Sequence, residues 1–152
     1  MKNNIHPESS LNIRRGKSKD AVRIVELSRQ LGYLVGLEIV EDSLARLRRD
    51  RNHCVFVAEK AGFVVGWIQI GIRLLLMAGM EAEIEGLVVD EEYRRQGIGV
   101  ALVRQAEEWA TDRKMGAIRV RSNIIREGAH EFYKNDGYQR IKTQEIYRKD
   151  LK

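Results

Sequence analysis

The chain has 152 residues, 43% of them apolar, and sets 27 basic against 22 acidic side chains for a net charge of +5. That length suits one domain with a real core, and the apolar share excludes a disordered chain. No apolar run approaches the roughly 20 residues that span a bilayer. The opening MKNNIHPESS lacks the apolar centre of a signal peptide, so a cytoplasmic protein with no membrane partner is expected. The single cysteine, Cys54, cannot form an internal disulfide, and no cysteine spacing of the metal-binding kind occurs, so no metal is expected. The arginines are dispersed and no aromatics cluster among them, which weighs against a nucleic-acid face.

In chain order, residues 1–10 read as a loose segment of one domain covering 1–152. LNIRRG is a strand. Ser18 is placed to cap a helix in which Ala21, Ile24, Val25, Ser28 and Leu31 form one stripe, with Gly32 as its stop. A second helix is expected from about Val40 to Arg49, with Val40, Leu44 and Leu47 on one face. HCVFVAEKAGFVVGWIQIGI reads as two strands joined by a tight turn around Lys60, Ala61 and Gly62. The second is apolar on both faces and so should be central. Cys54, in the first, reads as a small buried hydrophobe.

LLLMAGM looks like a connection, and EAEIEGLVVD like the next strand. A helix follows from about Gly97 to Arg113, with Ile98, Leu102, Ala106 and Trp109 as its buried stripe. AIRVRSNI alternates as a strand, with Ile118, Val120 and Ser122 on one side. REGAHEFYKND is a short helix stopped by Gly137, and YQRIKTQEIYRKDL supplies one or two closing strands. The order β-α-α-β-β-β-α-β-α-β-β is mixed α/β, with about four helices on a mostly antiparallel sheet of six or seven strands.

The stretch DEEYRRQGIGVALV, from Asp90 to Val103, carries the strongest chemical signal. The first turn of a helix exposes unpaired amides and a partial positive charge. Glycines at 97 and 99 let a phosphate approach that backbone, and Arg94 and Arg95 add countercharge. An anion site, for a diphosphate, follows. The dinucleotide fingerprint fails because Leu102 stands where its third glycine belongs. A triphosphate loop at Gly16–Ser18 fails because Leu11 stands where its first glycine belongs.

LVVDEEYRRQGIGVALV resembles the acetyl-CoA motif of the GCN5-related N-acetyltransferases (GNAT), and NIIREGAHEFYKNDGY resembles that family's second conserved-type segment. The resemblance runs from about Leu11 to the C-terminus. It implies a six- or seven-stranded GNAT fold, acetyl-CoA as cofactor and a primary amine as acceptor. It implies that backbone amides of Arg95, Gln96, Gly97, Ile98 and Gly99 hold the diphosphate, with Arg94 opening the motif. Leu87 and Val89 would pair with pantetheine as a strand does, and the Val88 amide would polarise the thioester carbonyl. Asn123 looks like the family's pantetheine-contacting asparagine. Tyr133 matches the tyrosine near the coenzyme sulfur, where a phenol can protonate a thiolate. Closing strands in this family imply a homodimer.

Glu81, Glu83 and Glu85 alternate, so a regular strand sets all three on one face about 7 Å apart. Mutual repulsion among them suits a general base and attracts a cationic amine. Glu83 is the first choice of base and Glu85 the second, with Glu81 binding substrate charge. The resemblance places the acceptor pocket at the first two helices, where Tyr33, Leu34 and Leu37 would line it. His6, His53 and His130 receive no catalytic role. The expected activity is acetyl transfer to a small-molecule amine by direct attack. A protein or peptide acceptor is the alternative enzyme, and an acyl-CoA sensor or nucleic-acid-binding module the non-enzymatic one.

Overall fold

The computed structural model describes residues 10–122 and 127–152. They fall into two compact units, one ending at Val120 and the other beginning at Arg121. The first unit holds β1 (Leu11–Arg15), α1 (Ala21–Gln30), α2 (Leu37–Arg49), β2 (His53–Lys60), β3 (Phe63–Leu75), β4 (Gly79–Val89), α3 (Ile98–Asp112) and β5 (Ile118–Val120). Short 3-10 turns at Ser18–Asp20 and Glu91–Tyr93 precede α1 and follow β4. The sheet order is β1-β2-β3-β4-β5, antiparallel except for the parallel β4–β5 pair. A parallel pair needs a crossover, and α3 is that crossover.

β3 is the central strand, as its two apolar faces require. On one face, Ala21, Ile24 and Leu27 of α1 and Val40 and Leu44 of α2 pack against Val55, Val57, Val64 and Val88. On the other lies α3, with Ile98, Leu102, Val103, Ala106, Trp109 and Ala110 buried. α3 comes so close at Gly66 that a Cβ there would stand 3.2 Å from Leu102 Cδ1 and 3.0 Å from the Val88 carbonyl oxygen. The β2–β3 turn places Ala61 at φ 51° and Gly62 at φ 75°, the double positive-φ geometry that matches strand twist.

Four local expectations are corrected. The Ser18 side chain caps nothing; Asp20 Oδ2 instead accepts from the Lys17 amide at 2.7 Å, because a 3-10 turn separates residue 18 from α1. In α1 it is Leu27, not Val25, that is fully buried. α2 starts at Leu37 rather than Val40, because its first turn is exposed and adds no apolar periodicity. In LLLMAGM only residues 76–78 connect, since strand pairing continues to Leu74 with Met80 and Leu75 with Gly79 beyond the packed core.

The second unit holds α4 (Glu127–Asn135), ended by Gly137 at φ 89°. Its Tyr133 ring meets Phe132 and Tyr138 edge-on, with centroids 5.1 and 5.6 Å apart. From Tyr138 to Lys152 no strand forms, and residues from Gln139 onward are exposed. Among the described residues the sheet therefore has five strands, not six or seven. Alternating residues such as Ile141 and Tyr147 give strand propensity, but a strand exists only through a paired ladder.

Leu102→Ala, at a fully buried position, should lower the unfolding free energy by about 2–5 kcal/mol. Ile141→Ala, at an exposed one, should change it by less than about 0.5 kcal/mol. Urea denaturation of both variants measures the contrast.

Candidate functional site

β4 is paired unequally on its two edges. β3 accompanies it to Val89, whereas β5 meets only Ala82, Glu83 and Ile84. From Glu85 to Val89 the second edge has no strand partner among the described residues. A bulge marks the change: Gln69 opposes Gly86 and Ile70 opposes Ile84, which leaves Glu85 as the extra residue. An open edge of this kind offers amides and carbonyls to an extended, amide-bearing ligand. Val88 is buried, while Leu87 and Val89 are partly covered.

Past the open edge the chain turns on Asp90, which is buried. Its carboxylate accepts from the Glu92 amide at 3.1 Å, from Gln30 Nε2 at 3.3 Å and from Arg23 Nη2. Arg23 Nε also donates to the Val64 carbonyl at 2.8 Å, and Gln30 Oε1 accepts from the Glu91 amide at 3.0 Å. α1 is thereby bolted to the end of β4. Burial alone would raise the Asp90 carboxyl, but the Glu92 amide, Arg23 and Gln30 outweigh it and hold the group below its ordinary 3.8.

The loop that follows is exposed from Arg94 to Gly97, with Arg95 at φ 62° and Gly97 at φ 79° as the left-handed N-cap of α3. At Gly97 a Cβ would meet nothing within 4 Å, so the backbone angle, not crowding, asks for glycine. The first α3 bond runs from the Ala101 amide to the Gly97 carbonyl at 3.0 Å, so the amides of Ile98, Gly99 and Val100 have no intrahelical acceptor. Arg94 Nε holds the Val89 carbonyl at 3.2 Å, and Lys60 Nζ donates to Gln96 Oε1 at 3.0 Å. Amides and an arginine that could meet a phosphate thus adjoin a strand edge that could take an extended ligand.

The glutamates of β4 each have a separate partner. Glu81 Oε2 accepts from Arg119 at 2.9 Å, buried Glu83 Oε2 from Arg73 at 2.8 Å, and Glu85 Oε2 from Gln69 Nε2 at 2.6 Å. Glu85 also faces His53, with Oε1 3.6 Å from Nε2, and His53 Nδ1 lies 3.0 Å from Asp50 Oδ2. Sequence reasoning missed Arg23, Gln30, Asp50 and His53. Their signal is strand register and helix packing, which spacing along one chain does not carry.

Tyr33 and Leu34 are exposed between α1 and α2, and Leu37 is exposed at the start of α2. Asn123 lies outside the described residues. In the second unit, burial pushes the Tyr133 phenol up to about 12, so it stays protonated at neutral pH. Burial also raises the Cys54 thiol, which fits a core residue rather than a nucleophile. Among the described residues no helix is long and apolar enough to cross a membrane.

The sequence pattern of the Acetyltransferase (GNAT) family matches residues 23–138. The Aminoalkylphosphonate N-acetyltransferase of Salmonella typhimurium is 34% identical over 113 residues, covering 74% of this chain and 71% of that protein. The Acetyl transferase GW6a of Oryza sativa subsp. japonica is 37% identical over 89 residues, covering 51% of this chain. The chain spans between 21% and 42% of the length of the first three curated relatives it matches. A solved aminoglycoside N-acetyltransferase in complex with CoA superposes with a TM-score of 0.86 at 16% identity, covering 97% of this chain and 99% of that one. At that identity the likeness concerns the fold, a mixed α/β sheet flanked by helices.

Because the Asp90 carboxyl titrates lower when folded, its contribution is full above pH 3.8 and is lost as pH falls through the folded value. Asp90→Asn should cost about 1–3 kcal/mol at neutral pH and flatten the acid-side loss of stability. Urea unfolding from about pH 2 to pH 6 measures both effects.

Proposed function

Because the chain belongs to the GNAT acetyltransferase family, we propose that it transfers the acetyl group of acetyl-CoA to a primary amine of a small molecule by direct attack. The observation that carries this reading is the continuity of the site. The open edge of β4 runs directly into the left-handed cap and unpaired amides of α3. The edge suits the amides of pantetheine, and the helix start suits a diphosphate. Bound acetyl-CoA supplies the acetyl group as an activated thioester.

The residues divide the work. The amides of Arg95, Gln96, Gly97, Ile98 and Gly99 hold the diphosphate, with Arg94 and Arg95 as countercharge. Leu87 and Val89 present their backbone to pantetheine, and Asn123 enters on its motif position alone. The Asp90 amide donates to the Val65 carbonyl at 2.8 Å, so the Val88 amide two residues earlier faces β3 too and is corrected as the group that would polarise the attacked carbonyl. The amine must lose a proton to become a nucleophile. Glu85 takes that proton in preference to Glu83, since Glu83 is buried against Arg73 whereas Glu85 is exposed at the bulge beside neutral Gln69. Glu81, held by Arg119, contributes negative charge toward a cationic acceptor. Tyr133 enters on its motif position as the acid that protonates the departing thiolate, a role that a phenol loaded at neutral pH can fill.

The small-molecule acceptor rests on the 34% identical relative, whose name gives an aminoalkylphosphonate as its substrate. Tyr33, Leu34 and Leu37 form the acceptor side of the site in this reading.

The test is release of CoA thiol from acetyl-CoA against aminoalkylphosphonates, aminoglycosides, polyamines, amino acids and short peptides. At least one small amine should accelerate release, and Glu85→Gln and Tyr133→Phe should each lower kcat by about 100-fold. Acceleration by peptides alone would move the acceptor to protein. Intact acetyl-CoA binding with no acceptor at all would make the protein a sensor and sink the proposal.

A further inference from the structure

We propose that His53 relays the amine's proton from Glu85 to solvent, with Asp50 positioning its imidazole. This rests on the reading of Glu85 as proton acceptor. The three residues come from separate places: the turn before β2, the first residue of β2 and the bulge of β4.

Asp50 is itself held in place. Its Oδ1 accepts from the Asn52 amide at 2.8 Å, and its Oδ2 lies 3.0 Å from His53 Nδ1. The Asn52 amide first, and His53 second, hold its carboxyl below the ordinary value. An ionised carboxylate only accepts, so the neutral imidazole carries its hydrogen on Nδ1. The Nε2 lone pair then faces Glu85 Oε1 at 3.6 Å. Gln69 occupies the other Glu85 oxygen at 2.6 Å, which aims Oε1 at the ring. A small rotation or one bridging water closes the remaining gap.

Gly71 makes room for this pair. It stands opposite His53 on one side and Glu83 on the other. A Cβ at Gly71 would lie 2.6 Å from His53 Cδ2, 2.8 Å from Nε2 and 2.9 Å from Glu85 Oε1. Any side chain there would push imidazole and carboxylate apart. The charged groups recorded against His53 are Asp50 from the preceding turn and Glu85 from β4, while β3 contributes Gly71 and neighbouring neutral Gln69. Glu83 is engaged by Arg73. The imidazole is 27% exposed, so it can release a proton to water.

The protons balance. An ammonium acceptor loses one proton to Glu85, which passes it to His53 Nε2 and on to solvent. As the C–N bond forms and the C–S bond breaks, the nitrogen loses a second proton and the thiolate gains one. The net release is one proton per acetyl transferred, and it leaves through His53.

The test combines kinetics with an observation on the free protein. Nitrogen-15 NMR of the free wild type should show His53 with its hydrogen on Nδ1, and Asp50→Asn should abolish that preference. In the acetyl-transfer assay, His53→Gln should lower kcat by about 10-fold or more, with the KM for acetyl-CoA within about twofold. In a Glu85→Gln background the same change should cost less than about twofold, because the two residues act in series. Added imidazole should restore part of the His53→Ala rate, and Gly71→Ala, if it folds, should reproduce the His53→Gln loss. An active enzyme whose His53→Gln variant keeps full kcat, or whose losses at 53 and 85 multiply, overturns the relay and leaves acetyl transfer standing. So does a hydrogen on Nε2. A wild type silent toward every amine overturns both readings.

Discussion

Among the described residues β4 has a continuous partner on one edge and a three-residue partner on the other, and the candidate site follows from that inequality. β5 pairs with Ala82, Glu83 and Ile84, and the β4 bulge falls at Glu85, the next residue. Over those three residues the strand is paired on both sides. Beyond them the strand keeps its extended shape through β3, while its other edge has no strand partner among the described residues. A slot that is already extended needs little ordering when a ligand arrives.

The loop before α3 depends on a polar joint. Asp90 gathers an amide, a guanidinium and a carboxamide, and Arg23 also holds the Val64 carbonyl. These bonds fix where β4 ends and therefore where α3 begins. Gly97 then takes a positive φ, and the amides of the first α3 turn are left without intrahelical acceptors. One buried carboxylate thus ties the end of β4 to α1 and sets the loop that leads into α3.

The acidic row on β4 is less uniform than its spacing suggests. Glu81 and Glu83 are committed to arginines, and only Glu85 sits among a carboxamide and an imidazole. The bulge makes that distinction, since it removes Glu85 from the regular ladder and turns it toward His53. Three identical side chains at equal spacing acquire different chemistry from their cross-strand neighbours.

By itself the sequence determined the local elements and the glycine-bearing loop before α3. Apolar runs on either side of a tight turn specified β2 and β3, the Ile98, Leu102, Ala106, Trp109 stripe specified α3, and Ala61–Gly62 specified a hairpin turn. These depend on neighbours within a few residues, so spacing carries them. The loop from Arg94 to Gly99 was legible for the same reason, because a helix start and its glycines are contiguous. Only the tertiary structure decided that residues 138–152 form no strand, that β4 is open beyond Ile84, and that Arg23 and Gln30 hold Asp90. It alone set Asp50, His53 and Gly71 beside Glu85. Those contacts join residues that lie from 14 to 67 positions apart in sequence. They are fixed by register and packing between elements, and a bulge or one omitted strand changes them without altering any local pattern.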